Sequence, residues 1–137
     1  MLTAIIGLGG TFLGAFITYR FALRLNRETL RITEFNKAAA AFRAAFVEVM
    51  YWFRQRSDVE GKMIPQILTD HVLVDHEKAK IVFEPFLEKT QLAGFNEAWE
   101  EYVQCRVNYG GENSSRSDER QYCLGYINRL FGYAAPK

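Results

Sequence analysis

The first nineteen residues, Met1 to Tyr19, carry no charged side chain, and four arginines, Arg20, Arg24, Arg27 and Arg31, follow within the next twelve. In lipid only an element that satisfies its own backbone can span, which for a single segment means a helix. At about 1.5 Å per residue nineteen residues reach roughly 28 Å, close to the roughly 30 Å hydrocarbon thickness of a bilayer. The pattern predicts a transmembrane anchor over 1–19, a basic juxtamembrane helix over 20–34 and one domain over 35–137. A cleaved signal peptide would carry its positive charge ahead of the apolar run and a small-x-small site behind it. Here Ala15-Phe16-Ile17-Thr18-Tyr19 leads straight into Arg20, so the segment reads as uncleaved. Arginines just past an apolar helix stay on the cytoplasmic side and attract anionic headgroups at about 1 kcal/mol each. The expected topology is N-terminus out and C-terminal domain cytoplasmic, with Arg20, Arg24, Arg27 and Arg31 against lipid headgroups.

Within the anchor, Thr3, Gly7, Gly10, Gly14 and Thr18 recur at spacings of four, three, four and four, which sets five small residues along one helical face. Such a stripe lets two helix backbones approach closely in a bilayer, where packing supplies the attraction that apolar burial supplies in water. Self-association, or docking on another membrane protein, is the expectation.

Charge is divided unevenly along the chain. The whole carries a net +1, yet residues 20–56 hold eight Lys/Arg against three Asp/Glu and residues 57–137 hold nine against thirteen. A nucleic-acid polymer would need a basic face on the folded domain itself, so it is not an expected partner. With 11 Phe, 7 Tyr and 2 Trp, the residues after the anchor can bury a core of ordinary domain size. Cys105 and Cys123 are the only cysteines, and in a reducing cytoplasm two cysteines among apolar neighbours read as buried thiols.

No proline precedes Pro65 and no glycine lies between Gly14 and Gly61, so the first helix is free to continue out of the membrane. Leu25, Ile32, Phe35, Ala39, Phe42, Phe46, Val49 and Phe53 follow a three-four spacing and predict its packing face. Ser57 to Gly61 is the first break; Pro65 suits a short second helix to about Leu73, and a turn at Val74-Asp75 lets Asp75 cap a third from His76. Pro85 should shorten that helix, and Thr90 should cap a fourth built on Leu92, Phe95, Trp99, Tyr102 and Val103. A turn-rich loop from Asn108 to Ser115 precedes a last helix, capped by Ser117 or Asp118 and burying Tyr122, Cys123, Tyr126, Ile127, Leu130 and Phe131. The expected fold is all-α, a transmembrane helix continuing into a bundle of about four to five helices.

Catalytic signatures are missing. No GxSxG, GxxxxGK[ST], CxxC or HExxH occurs, and Gly7-Leu8-Gly9-Gly10 lies inside the anchor. His71 and His76, flanked by Asp70, Asp75 and Glu77, offer metal-ligand types, but a separation of five does not put two ligands on one helical face. Both histidines read instead as polar or capping groups at the ends of a helix turn, and Glu97, Glu100 and Glu101 as solvated surface. No enzyme activity, metal or cofactor is expected. Arg106, Arg116, Arg120 and Arg129, with Tyr109, Tyr122 and Tyr126, bracket the loop and form a candidate site for an anionic ligand such as a nucleotide.

Phe42-Arg43-Ala44-Ala45-Phe46, His76-Glu77-Lys78-Ala79, Phe83-Glu84-Pro85-Phe86-Leu87 and Ala98-Trp99-Glu100-Glu101-Tyr102 together resemble a group of small uncharacterised bacterial proteins that share a short N-terminal membrane segment. The resemblance covers most of the chain to about Tyr102. It implies a membrane-tethered helical domain at a bacterial inner (cytoplasmic) membrane and transfers no catalytic residue. The leading expectation is a single-pass interaction protein, an accessory subunit or scaffold. The rival is a ligand-gated membrane effector whose cytoplasmic domain senses the anion.

Overall fold

With no proline to stop it, the chain begins in one long helix, α1, which runs from Leu2 to Ala45 in the computed structural model. The structure describes the backbone of residues 2–54, 63–109 and 116–137, and the side chains of residues 14–54, 63–109 and 119–137. After α1 come α2 (Val47–Arg54), α3 (Ile64–Ile67), α4 (Asp70–Phe83), a single 3-10 turn (Glu84–Phe86), α5 (Lys89–Asn108) and α6 (Arg116–Tyr133). The described residues are all-helical and contain no strand, as the three-four periodicity predicts. Among them no helix is long and apolar enough to cross a membrane. The side chains of residues 1–13, the first two thirds of the expected anchor, lie outside the described set, as do the break at Ser57 to Gly61 and the loop at 110–115.

By its contacts the chain divides into two compact units, Met1–Glu34 and Phe35–Lys137. In the first, every described side chain from Gly14 to Glu34 is exposed. In the second, burial begins at Phe35 and follows the expected stripe: Phe35, Ala39, Phe42, Phe46, Val49 and Phe53 are all buried, whereas Leu25 and Ile32 of the same spacing are exposed in the first unit.

The stripe survives a break that sequence did not announce. Phe46 leaves the helix, its amide donating to the Arg43 carbonyl at 3.2 Å, three residues back instead of four. The Phe46 carbonyl then accepts from Met50 at 2.9 Å and α2 resumes. Phe42 is the centre of the core, its ring stacked on Phe83 (centroids 5.0 Å apart) and tilted against Phe46 (5.1 Å) and Phe95 (5.8 Å). Each aromatic pair of this kind adds about 0.5–1.5 kcal/mol beyond the area it buries. α5 contributes Phe95, Ala98, Trp99, Tyr102 and Cys105, and α6 contributes Cys123, Leu124, Ile127 and Leu130.

Three helix boundaries differ from the sequence expectation, each for a local reason. Pro65 does sit in the first turn of α3, but that helix ends at Ile67, because Thr69 starts the next one by accepting from the Val72 amide at 3.3 Å. Val74 and Asp75 therefore lie inside α4, where neither glycine nor proline breaks the chain. α5 starts at Lys89 with Glu88 as its cap residue, Glu88 N–H donating to Gln91 Oε1 at 3.2 Å, so Thr90 falls within the first turn. α6 begins at Arg116, which places Ser117 and Asp118 inside it, and Tyr122 on it is exposed. Pro85 ends α4 at Phe83 and forces the 3-10 turn, as expected.

The end of the chain is tied back to the start of the second unit. Lys137 N–H donates to Asn36 Oδ1 at 2.9 Å, Asn36 Nδ2 donates to the Lys137 carbonyl at 3.3 Å, and the Lys137 ammonium lies 4.5 Å from the Phe35 ring centroid.

Replacing Phe42 with alanine is expected to cost about 3–5 kcal/mol, measured by denaturant unfolding of the full chain, since the side chain is 1% exposed and touches rings from three other helices. Glycine replacements separate packing from helix propensity. Gly125→Ala and Gly132→Ala, which meet nothing within 4 Å, should each stabilise by about 0.5–1 kcal/mol. Gly94→Ala should fall short of both by about 1 kcal/mol, because its methyl must displace the Tyr133 hydroxyl while the Tyr133 ring is held edge-on by Phe95. Equal gains at all three positions would show that Tyr133 moves without cost.

Candidate functional site

Helical geometry sets the two expected faces of the first unit apart. At 100° per residue Gly14 and Thr18 share a side with Phe21, Leu25 and Ile32, while Arg20, Arg24, Arg27 and Arg31 form a separate stripe. Gly14 meets nothing within 4 Å of where a Cβ would stand. Thr18 turns its hydroxyl onto the Gly14 carbonyl at 2.8 Å, so that polar group is satisfied within its own helix. Phe16, Ile17, Phe21, Leu25 and Leu30 are left open. Arg20 lies over the Phe16 ring at 5.5 Å, and among the described residues none of the four arginines has an ion-pair partner. Thr3, Gly7 and Gly10 lie outside the described side chains.

In the second unit the expected anionic-ligand residues are distributed by their carboxylate neighbours. Arg106 pairs with Asp70, joining α5 to α4. Arg129 pairs with Glu101 and, at 3.1 Å, with Glu97, joining α6 to α5, and these carboxylates hold its guanidinium above its ordinary pKa against the opposing effect of desolvation. Arg120 is buried and engaged, and the Arg116 side chain lies outside the described set. An anion at Arg106 or Arg129 has to displace a carboxylate already in place. The tyrosines do gather: the Tyr109 and Tyr122 rings stack 5.9 Å apart at 8°. Burial and a hydrogen bond with Tyr126 push the Tyr109 phenol up to about 12.

His76 is the residue that sequence placed wrongly. It lies within α4, 3% exposed, and joins three helices instead of capping one. Its Nε2 is 2.9 Å from the Ala45 carbonyl at the end of α1, its Nδ1 is 2.6 Å from the Tyr102 hydroxyl of α5, and its ring stacks on Phe46 at 4.1 Å. A carbonyl can only accept, so Nε2 carries a proton and donates to Ala45. Burial disfavours a second proton on the ring, which leaves it neutral with Nδ1 accepting from the Tyr102 O–H. Burial holds its pKa below the ordinary value, opposed by the Ala45 hydrogen bond and the Asp75 carboxylate next to it. His71 is exposed, 3.5 Å from Asp75, and Asp75 also takes Lys78 at 3.0 Å. Among the described residues no three His, Cys, Asp or Glu side chains gather as a metal site requires.

Cys105 and Cys123 are both buried free thiols on facing helices. Cys105 donates to the Glu101 carbonyl at 3.6 Å, and the hydrogen-bonded Cys105 beside it, with burial, pushes the Cys123 thiol far above its ordinary range. These are unreactive core groups. Glu97 and Glu100 are exposed, and Glu101 is half-buried against Arg129. No protein family, no curated protein and no solved structure matches the chain.

The neutral histidine makes the bundle acid-sensitive. An unfolded chain protonates His76 near pH 6.5, whereas the folded one does so only lower, so the unfolded state binds the extra proton in between. The stabilisation is full above about pH 6.5 and is lost as pH falls from there toward the folded value. The melting midpoint of the full chain should drop between about pH 7 and about pH 5, and in His76→Gln, already weakened by about 1–3 kcal/mol at neutral pH, that slope should flatten. An unchanged slope in the variant would assign the acid sensitivity to other groups.

Proposed function

We propose that this protein is a single-pass, non-enzymatic interaction protein of a bacterial inner membrane, an accessory subunit or scaffold, with its N-terminus out and its helical bundle in the cytoplasm. What carries the reading is the first unit: twenty-one consecutive exposed residues from Gly14 to Glu34 include Phe16, Ile17, Phe21, Leu25 and Leu30. Apolar groups in such density are costly in water and are at home in lipid or against another helix. The uncharged run ahead of them supplies the span, and the arginine stripe at Arg20, Arg24, Arg27 and Arg31 supplies the headgroup contacts. Thr3, Gly7, Gly10, Gly14 and Thr18 are the self-association face, and the open space around Gly14 is consistent with close approach of a second backbone. A ligand-gated effector that binds its anion at Arg106, Arg116, Arg120 and Arg129 has less support, since Arg106 and Arg129 are neutralised by carboxylates.

The full-length protein should stay in the membrane fraction through an alkaline carbonate wash; release into the supernatant overturns the anchor. In nanodiscs its native mass should correspond to a homo-oligomer or to a complex with another membrane protein. Gly10→Ile combined with Gly14→Ile should weaken self-association by about tenfold or more, because the backbones can no longer meet. A monomer in the unsubstituted protein, with nothing copurifying, refutes the scaffold reading.

A further inference from the structure

A second surface, formed around the break at Phe46, has no role in that function. The last turns of α1, the whole of α2 and the end of α6 enclose a groove of about 750 Å³, a size that holds one small organic molecule. Its floor is apolar: Met50 is buried beneath it, and Val47 stands 64% exposed. Ala40 and Ala44 keep the α1 wall low. Two rings line it. Phe131 is pinned from behind by edge contacts with Phe46 (5.7 Å) and Phe42 (6.5 Å), so that wall is continuous with the rigid core. Tyr51 is 57% exposed and in T-shaped contact with Trp52 at 5.4 Å.

The cations of the groove differ from three others of the unit. Arg106, Arg129 and Lys80 each have a carboxylate partner. Arg43, half-buried at the end of α1, and Arg54, exposed at the end of α2, make no ion pair or hydrogen bond among the described residues, and no described carboxylate lines the groove. Asn128 adds one side-chain amide, a donor and an acceptor together. An apolar floor with aromatic walls takes a flat body, an amide reads a polar edge, and unpaired guanidinium groups take phosphate.

We propose that this groove is a binding site for a nucleoside polyphosphate, with the base against Tyr51 and Phe131, its edge at Asn128, and the phosphate chain held by Arg43 and Arg54. An acyl chain would use the floor but neither the amide nor the unpaired guanidinium groups. The site does not depend on the membrane reading.

The test uses the full-length protein in nanodiscs of neutral phosphatidylcholine, titrated calorimetrically with ATP, GTP, CTP and UTP in the presence of magnesium, and with inorganic tripolyphosphate and adenosine as the separated halves. At least one nucleotide should bind saturably at submillimolar concentration and more tightly than either half. Arg43→Gln, Arg54→Gln and Tyr51→Ala should each weaken it by about tenfold or more, and Arg106→Gln should leave it unchanged. Arg54 and Tyr51 are exposed, so those two variants should keep the parent melting midpoint and the result does not turn on folding. The proposal is overturned if none of the four nucleotides binds, if tripolyphosphate binds as tightly as the best of them, or if Arg106→Gln abolishes binding that Arg54→Gln leaves intact.

Discussion

A helix that stops against an apolar core leaves carbonyls without a helical partner, and the arrangement of the second unit depends on how one of them is satisfied. The Ala45 carbonyl, where α1 gives way to Phe46, accepts from His76, and the other nitrogen of the same ring accepts from Tyr102. One side chain thereby fixes α4 against the end of α1 and against α5, with the Phe46 ring stacked on its face. A buried polar group left without a partner costs more than its hydrogen bond gains, so all three groups are needed together. The break also re-aims the apolar stripe. Phe42 and Phe46 lie before and at the break, Val49 and Phe53 after it, and all four remain buried.

Around that polar knot the core is mainly aromatic. Phe42, Phe46, Phe83, Phe95 and Phe131 meet at centroid distances between 5.0 and 6.5 Å, from the end of α1, α4, α5 and α6. Rings confer direction as well as burial, because edge and face are electrostatically different, and this fixes the packing more closely than aliphatic side chains would. The ion pairs outside it, Arg106 with Asp70 and Arg129 with Glu97 and Glu101, link neighbouring helices at exposed positions, where such pairs contribute at most about 1 kcal/mol. They also occupy two arginines with carboxylates, whereas Arg43 and Arg54 have no ion-pair partner among the described residues.

The candidate site was partly legible. The arginine stripe and the small-residue face of the first unit follow from spacing alone, because a helix converts separations of three and four into a face without outside help. The arginines near the loop read equally well as a ligand site, since sequence shows which cations are close along the chain but not which carboxylates reach them across helices: Asp70 is thirty-six residues from Arg106, and Glu97 thirty-two from Arg129. His76 was misplaced for the same kind of reason. Its flanking acids suggested a polar turn, while its actual partners stand thirty-one residues before it and twenty-six after. The groove had no linear signature at all, its residues coming from 40–54 and from 128–131.

By itself the sequence determined the all-helical class, the buried stripe from Phe35 to Phe53, the helix-ending effect of Pro85 and the contrast between an uncharged start and the arginines that follow. These are local quantities, set by the period of apolar residues, by the missing amide of proline and by charge along the chain. Tertiary structure decided the break at Phe46, the start of α4 at Asp70, the tautomer of His76, the pairing of Arg106 and Arg129 and the existence of the groove beside Arg43 and Arg54. Each of these depends on groups distant in sequence being brought within about 3 Å of one another, or being kept apart, and no local pattern encodes that choice.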